Sequence, residues 1–287
     1  MRNLDIPTVC ERIAVQPPYF AFSALKERGA TAVQGIFTPE QQIGYERGPV
    51  SSAEIGRHLA ILGSCAAVAG RPAKRTYYLA TKACLKFLRN ARPLKTDEAY
   101  HGVAEVLHQD GRMLIAQATA SDDAPFAHLR CEYQALQESV FARVFKQYQA
   151  APVECPVSSP YCEPISLDFD LPHGLSLTAH SRPLSASRFA GHFSGYPAWP
   201  VAILADTVSQ VRSRLLHHIL DREVDYTVVR VDLDASRLVP ASDSLSFLVE
   251  CVAASSVLSY YIFAAKVIWG RRSLRPWRWK FPYSLAG

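Results

Sequence analysis

VAILADTVSQVRSRLLHHI (201–219) is the stretch on which the fold turns. Its Ile203, Leu204, Val208, Val211, Leu215 and Ile219 recur at helical spacing, and apolar residues occupy most of its faces. The sequence downstream has no second helical run. YTVVRVDLDASRLVPASDSLSFLVECVAA (226–254) and VLSYYIFAAKVIW (257–269) are rich in Val, Tyr, Phe and Ile and read as extended strands. Upstream, LDFDL (167–171) and LSLTAHS (175–181) are also strand-like. One helix set among hairpin-linked strands predicts an antiparallel sheet packed on a single helix, not the alternation of a doubly wound fold.

The first half of the chain carries the same order. Apolar segments near Tyr19–Leu25 and Thr31–Phe37 precede a helical run from Ser52 to Val68, and strands fill the region 76–120, with Gln109-Asp-Gly111 as a hairpin turn. Tyr77, Pro93, Asp97 and Glu105 match Tyr226, Pro240, Asp243 and Glu250 in order. Between the halves lies AAPVECPVSSPYCEP (150–164), four prolines among small and polar residues. The expected division is therefore residues 1–150, a linker at 151–163, and residues 164–287. The fold class is α+β: two long helices, each wrapped by an antiparallel sheet, an arrangement that resembles a double hotdog. QALQESVFARVFKQYQ (134–149) has no counterpart in the second half and reads as a closing helix.

Composition narrows the function. With 287 residues and 49% hydrophobic content the chain can bury a large core, and a net charge of +5 is too small and too scattered for a dedicated nucleic-acid binder. Seven scattered cysteines without CxxC or Cys/His ligand spacing argue against a disulfide framework and against a zinc site. The N-terminal residues hold an early acid and no apolar run fit for a signal peptide, so the expected compartment is the cytoplasm. Val252–Trp269, interrupted by Ala-Ser-Ser at 254–256, reads as two strands joined by a turn and not as a membrane span.

The most specific string is GHFSGYPAWP (191–200), followed by VAILADTVSQ. His192, Phe193, Gly195, Pro197, Pro200, Asp206 and Gln210 stand at the spacing of a known signature, with the acid fourteen positions after the histidine (206 − 192). The string resembles bacterial 3-hydroxyacyl-[acyl carrier protein] dehydratases of fatty-acid and polyketide synthesis. That resemblance implies a dehydratase, a hydro-lyase converting a 3-hydroxyacyl thioester to a 2-enoyl thioester. His192 would take the α-proton, a carboxyl would protonate the departing hydroxyl, and the helix start would hold the thioester oxygen. Gly195, Pro197, Val201, His58 and Gln210 are expected to shape the substrate site. The mechanism requires no nucleotide, metal or flavin cofactor.

In the resembled dimers each site takes its histidine from one hotdog and its acid from the other. The first half offers Glu54, with His58 four positions on, the spacing that also separates Asp206 from Gln210. Fourteen positions before Glu54 stands Glu40 instead of a histidine. One working site, His192 with Glu54, beside a degenerate one at Asp206 is the resulting expectation. Val201 departs from the family, which has glycine after the second proline. Two alternatives stay open: a hotdog acyl thioesterase, and a non-catalytic subunit that binds acyl carriers. The basic C-terminal run, with Arg271, Arg272, Arg275, Arg278 and Lys280, reads structurally as an edge strand whose charges stay solvated and functionally as a patch expected to dock acyl carrier protein. Neither nucleic acid nor membrane is an expected partner, and association into a homodimer is left open.

Overall fold

A computed structural model describes residues 2–69, 74–96, 98–151 and 158–270, together with the backbone of 279–284. The first half runs β1 (Arg2–Asn3), α1 (Ile6–Ile13), β2 (Phe22–Glu27), β3 (Ala32–Phe37), α2 (Ser52–Val68), β4 (Thr76–Phe87), β5 (Tyr100–Gln109), β6 (Met113–Ser121), β7 (Pro125–Gln137) and α3 (Glu138–Val144). The second half runs β8 (Leu167–Phe169), β9 (Ser176–Ser181), α4 (Val201–Leu220), β10 (Thr227–Val228), β11 (Arg230–Asp234), β12 (Leu245–Ser255), β13 (Tyr260–Trp269) and β14 (Trp279–Ser284).

All fourteen strands join one sheet in the order β1-β2-β3-β5-β6-β7-β4-β11-β14-β13-β12-β9-β8, with β10 pairing β14. Read inward from either edge, β2-β3-β5-β6-β7-β4 and β8-β9-β12-β13-β14-β11 are the same path, so the internal repeat is a repeat of topology. The two paths meet where β4 pairs antiparallel with β11, Leu85 opposite Val231.

Alternation explains which face each strand buries. Along β6, Leu114, Ala116, Ala118 and Ala120 are buried while intervening residues are not, and Phe247, Val249 and Cys251 repeat this on β12. The buried face of β12 closes on α4, and that of β6 on α2, where 15 of 17 residues are buried. A helix enclosed this far needs an apolar circumference, as its sequence provides. Close approach also needs small residues: a Cβ at Gly63 would stand 2.6 Å from Tyr133 Oη. Ser51 caps α2, its hydroxyl accepting the Glu54 N–H at 3.1 Å.

Three expectations are corrected here. Residues 134–137 continue β7, because Gln134 to Gln137 stay paired with β4; 138–144 form an α-helix and 146–148 a single 3-10 turn. The turn between β12 and β13 falls at 256–259, since Ala254 and Ser255 remain paired with Tyr261 and Tyr260. The C-terminal segment is not at an edge: β14 lies between β13 and β11. The short helix α1 carries no match in the second half. Asp97, residues 152–157 of the expected linker, Arg271, Arg272, Arg275 and Arg278, and the side chain of Lys280 lie outside the described residues.

Candidate active site

The loop from Gly191 to Pro200 is seated against the first half. Gly191 has φ +87°, and its carbonyl accepts the Gln16 N–H at 2.9 Å. A Cβ there would lie 2.1 Å from Gln16 O, so both conformation and space select glycine. The Tyr161 hydroxyl donates to Ala190 O at 2.8 Å, and the Ala150 N–H donates to Gly195 O at 2.9 Å. Phe193 packs edge-on against Tyr77 and Phe141. Pro197 O accepts from Ala241 N–H, and Trp199 N–H reaches Val239 O, which fixes the approach to α4.

This loop presents His192 to a cavity of about 370 Å³ between the two halves. Arg57, Tyr19, Tyr133, Trp199 and Val201 share the lining, and Leu79, Leu85, Leu129, Val231 and Leu233 give it an apolar wall. The His192 ring stacks on Phe193 and meets Tyr19 edge-on, with centroids 4.1 and 4.8 Å away. Burial pushes its pKa down to about 4, opposed by the backbone acceptors of His192 and Ala198. The imidazole is thus neutral near pH 7. Its Nδ1 is enclosed without a completed hydrogen bond.

Beside it, the start of α4 is bare. Pro200 occupies the N-cap with no side-chain cap, and Pro200 O takes the N–H groups of Ile203 and Leu204. The N–H groups of Val201 and Ala202, both on cavity-lining residues, have no partner among the described residues. The start of α2 is different: Ser51 Oγ caps Glu54, and Glu46 Oε2 accepts the Ser52 N–H at 2.7 Å. The α4 start thus offers two adjacent N–H groups to an oxyanion, and the α2 start only that of Ala53 among the described residues.

The three candidate ionisable groups do not form one cluster. Glu54 is fully buried and does not line the cavity. Its oxygens accept the N–H groups of Glu40 and Gln41 at 2.7 and 3.2 Å, with Arg57 and His58 at 3.6 and 3.5 Å. No hydrogen bond or ion pair among the described residues joins it to His192. Burial pushes His58 down to about 4, against the pull of Glu54, and its ring stacks on Phe37 at 4.3 Å. Asp206, like Glu54, is not among the residues lining the cavity and has no hydrogen bond or ion pair to His192 among the described residues. Burial, then the charge of Glu46, raises its carboxyl to about 6, while a 3.4 Å bond from Gln210 Nε2 opposes the shift. Asp206 is the sixth residue of α4 whereas Glu54 is the third of α2, so the residue at equal depth to Asp206 is Arg57.

Several site residues carried no signature in the sequence. Tyr19, Trp199 and Glu46 belong to no motif. Arg57 had one usable signal, a permanent charge inside an otherwise apolar helical run. Glu46 accepts from Ser52 Oγ, Ser209 Oγ and Arg212 Nη2 at 2.9, 2.8 and 3.0 Å, tying the start of α2 to the middle of α4.

No family profile and no curated protein matches this chain. Solved structures do. A tesB protein of Mycobacterium avium subs paratuberculosis aligns over 92% of this chain and 96% of its own, at 11% identity and TM-score 0.58. A conserved protein of unknown function with a hot dog fold from Alicyclobacillus acidocaldarius aligns over 95% and 99%, at 12% identity and TM-score 0.57. The chain has the hotdog fold. Acyl-CoA thioesterase II TesB2 of Mycobacterium marinum also matches the double hotdog, over 91% and 94% at 12% identity and TM-score 0.54. At such identities the likeness concerns the fold. No helix among the described residues of this double hotdog is long and apolar enough to cross a membrane.

Proposed function

We propose that this double hotdog is an acyl-thioester enzyme that dehydrates 3-hydroxyacyl thioesters. The observation that carries the reading is the make-up of the cavity: a neutral His192 ring sharing its lining with Val201 and Ala202, whose N–H groups are unpartnered among the described residues. With the thioester oxygen at the α4 start, negative charge developing during α-proton removal meets two backbone donors and the positive end of a 20-residue helix. His192 takes the α-proton. The C3–O bond then breaks as the double bond forms, and the hydroxyl leaves as water after receiving a proton.

Asp206 is the carboxyl suited to that donation, since a group near 6 keeps part of its population protonated at neutral pH. It stands one helical turn beyond Ala202, which lines the cavity. Glu54, fully engaged by two N–H groups and Arg57, serves on this reading to hold Arg57. The basic C-terminal run remains our proposal for docking an acidic carrier protein.

A second reading, thioester hydrolysis, is favoured by the same Asp206, because an ionised carboxylate near 6 is a competent base toward water. The two readings demand opposite protonation states. Dehydration needs neutral His192 and protonated Asp206, giving a rate that rises with pH through about 4 and falls through about 6. Hydrolysis needs ionised Asp206 and a rate that rises through about 6. Turnover of a 3-hydroxyacyl-pantetheine panel between pH 3.5 and 8, with free thiol measured beside enoyl product, separates them.

A further inference from the structure

Arg57 is the unusual group in the cavity wall. Its side chain is fully buried, and Nη2 donates to Glu40 Oε1 at 2.6 Å. Its Nε and Nη1, however, are buried without any acceptor. The guanidinium lies against Tyr161 and Tyr19, 5.3 and 5.6 Å from their ring centroids, so its planar faces are covered while donors remain unused. Trp199, also on the cavity wall, likewise has a buried Nε1 with no acceptor. Buried donors in folded proteins are nearly always paired, and leaving a charged one unpaired costs more than leaving a neutral one. A cavity with an apolar wall and unused donors on Arg57 and Trp199 is complementary to a ligand that brings acceptor oxygens.

Charge decides which kind of oxygen. Two carboxylates, Glu40 at 2.6 Å and Glu54 at 3.6 Å, already surround this single guanidinium. Their combined charge exceeds that of Arg57, so a carboxylate brought up to this guanidinium would meet a local field of its own sign. Of the other two guanidiniums in the lining, Arg212 is offset by Glu46 and Arg237 adds a positive charge elsewhere in the wall. A neutral oxygen meets no such repulsion. Resting on the proposed thioester site, we infer that Arg57 is a specificity-determining residue that selects acyl chains carrying a neutral acceptor oxygen, a ketone or hydroxyl, beyond the reacting carbons. The substrate class is then an oxygenated, polyketide-like acyl thioester and not a plain saturated one.

Binding of unreactive S-alkyl pantetheine thioethers to the full chain tests this without relying on turnover. One probe is saturated, a series of equal length bears a single ketone at successive carbons, and one ends in a carboxylate. The best ketone probe is expected to bind about tenfold or more tighter than the saturated one, and the carboxylate probe no better than it. Arg57→Lys keeps the charge between Glu40 and Glu54 and should reduce the preference to about twofold or less. In the unmodified protein, the Arg57 Nε–H resonance should move with the ketone probe and not with the saturated one, a readout independent of whether the variant folds. Equal affinity of all probes, or a preference that survives Arg57→Lys, overturns the inference alone. Failure of every probe to bind removes the thioester site and the inference with it.

Discussion

Three titratable side chains, His58 buried and His192 and Asp206 half-buried, set opposite pH trends in this molecule. His58 and His192 have folded pKa values depressed to about 4 from about 6.5. Between those values the unfolded chain binds more protons than the folded one, so their contribution is present above 6.5 and is lost as pH falls through 4. Asp206 behaves in the reverse sense: raised from 3.8 to about 6, it favours the fold below 3.8 and costs stability as pH rises through 6. Asp206→Asn is therefore expected to raise the unfolding free energy read from urea denaturation at pH 8, by an upper bound of about 3 kcal/mol, and to leave it unchanged at pH 3.5. The same variant should lose most turnover, because an amide cannot exchange the proton. His192→Ala should abolish turnover with circular dichroism unchanged, and near-normal rates would refute its role as base.

At the scale of elements, the contrast between the two helix starts is the feature with consequences. Ser51→Ala removes the hydroxyl that holds the Glu54 N–H and should cost about 1 kcal/mol, measured by denaturant unfolding. Gly191→Ala should cost more, about 2 kcal/mol or above, because it combines φ +87° with a 2.1 Å approach to Gln16 O; it should also displace His192 and depress turnover. Much at this scale was legible in the sequence. Helical spacing located 52–68 and 201–219 because both helices are buried on most sides, and Gln109-Asp-Gly111 marked the turn between β5 and β6 because a tight hairpin demands those residue types. Residues 134–137 were misread because their apolar spacing suits a helix, while pairing with β4 holds them extended. The interior place of β14 was hidden for a related reason: its Trp, Lys and Pro content suggests an edge, and only the closure of the repeat puts it between β13 and β11.

At the scale of the whole molecule, the halves are joined by the β4–β11 pairing and by Glu46. The carboxylate of Glu46 is almost fully enclosed, with 8% of its side chain exposed, and gathers Ser52 from one half with Ser209 and Arg212 from the other. Glu46→Gln should lower stability by about 3 kcal/mol, since it breaks a buried ion pair. It should also move the Asp206-dependent limb of the pH profile to lower pH, because Glu46 is one of the charges that raise Asp206. The motif at 191–200 made His192 and the α4 start visible in the sequence. Glu46, Arg57 and Tyr19 were not, because they matter through contacts between distant segments that carry no fixed spacing.

The central claim is that the His192 cavity removes water from a 3-hydroxyacyl thioester. Mass spectrometry of a 3-hydroxyacyl-pantetheine panel incubated with the full chain tests it most directly. The account predicts products lighter by one water with the thioester intact, formed by the natural sequence and absent with His192→Ala. Free thiol with an unchanged hydroxy acid, or a panel left wholly unaltered, would contradict it.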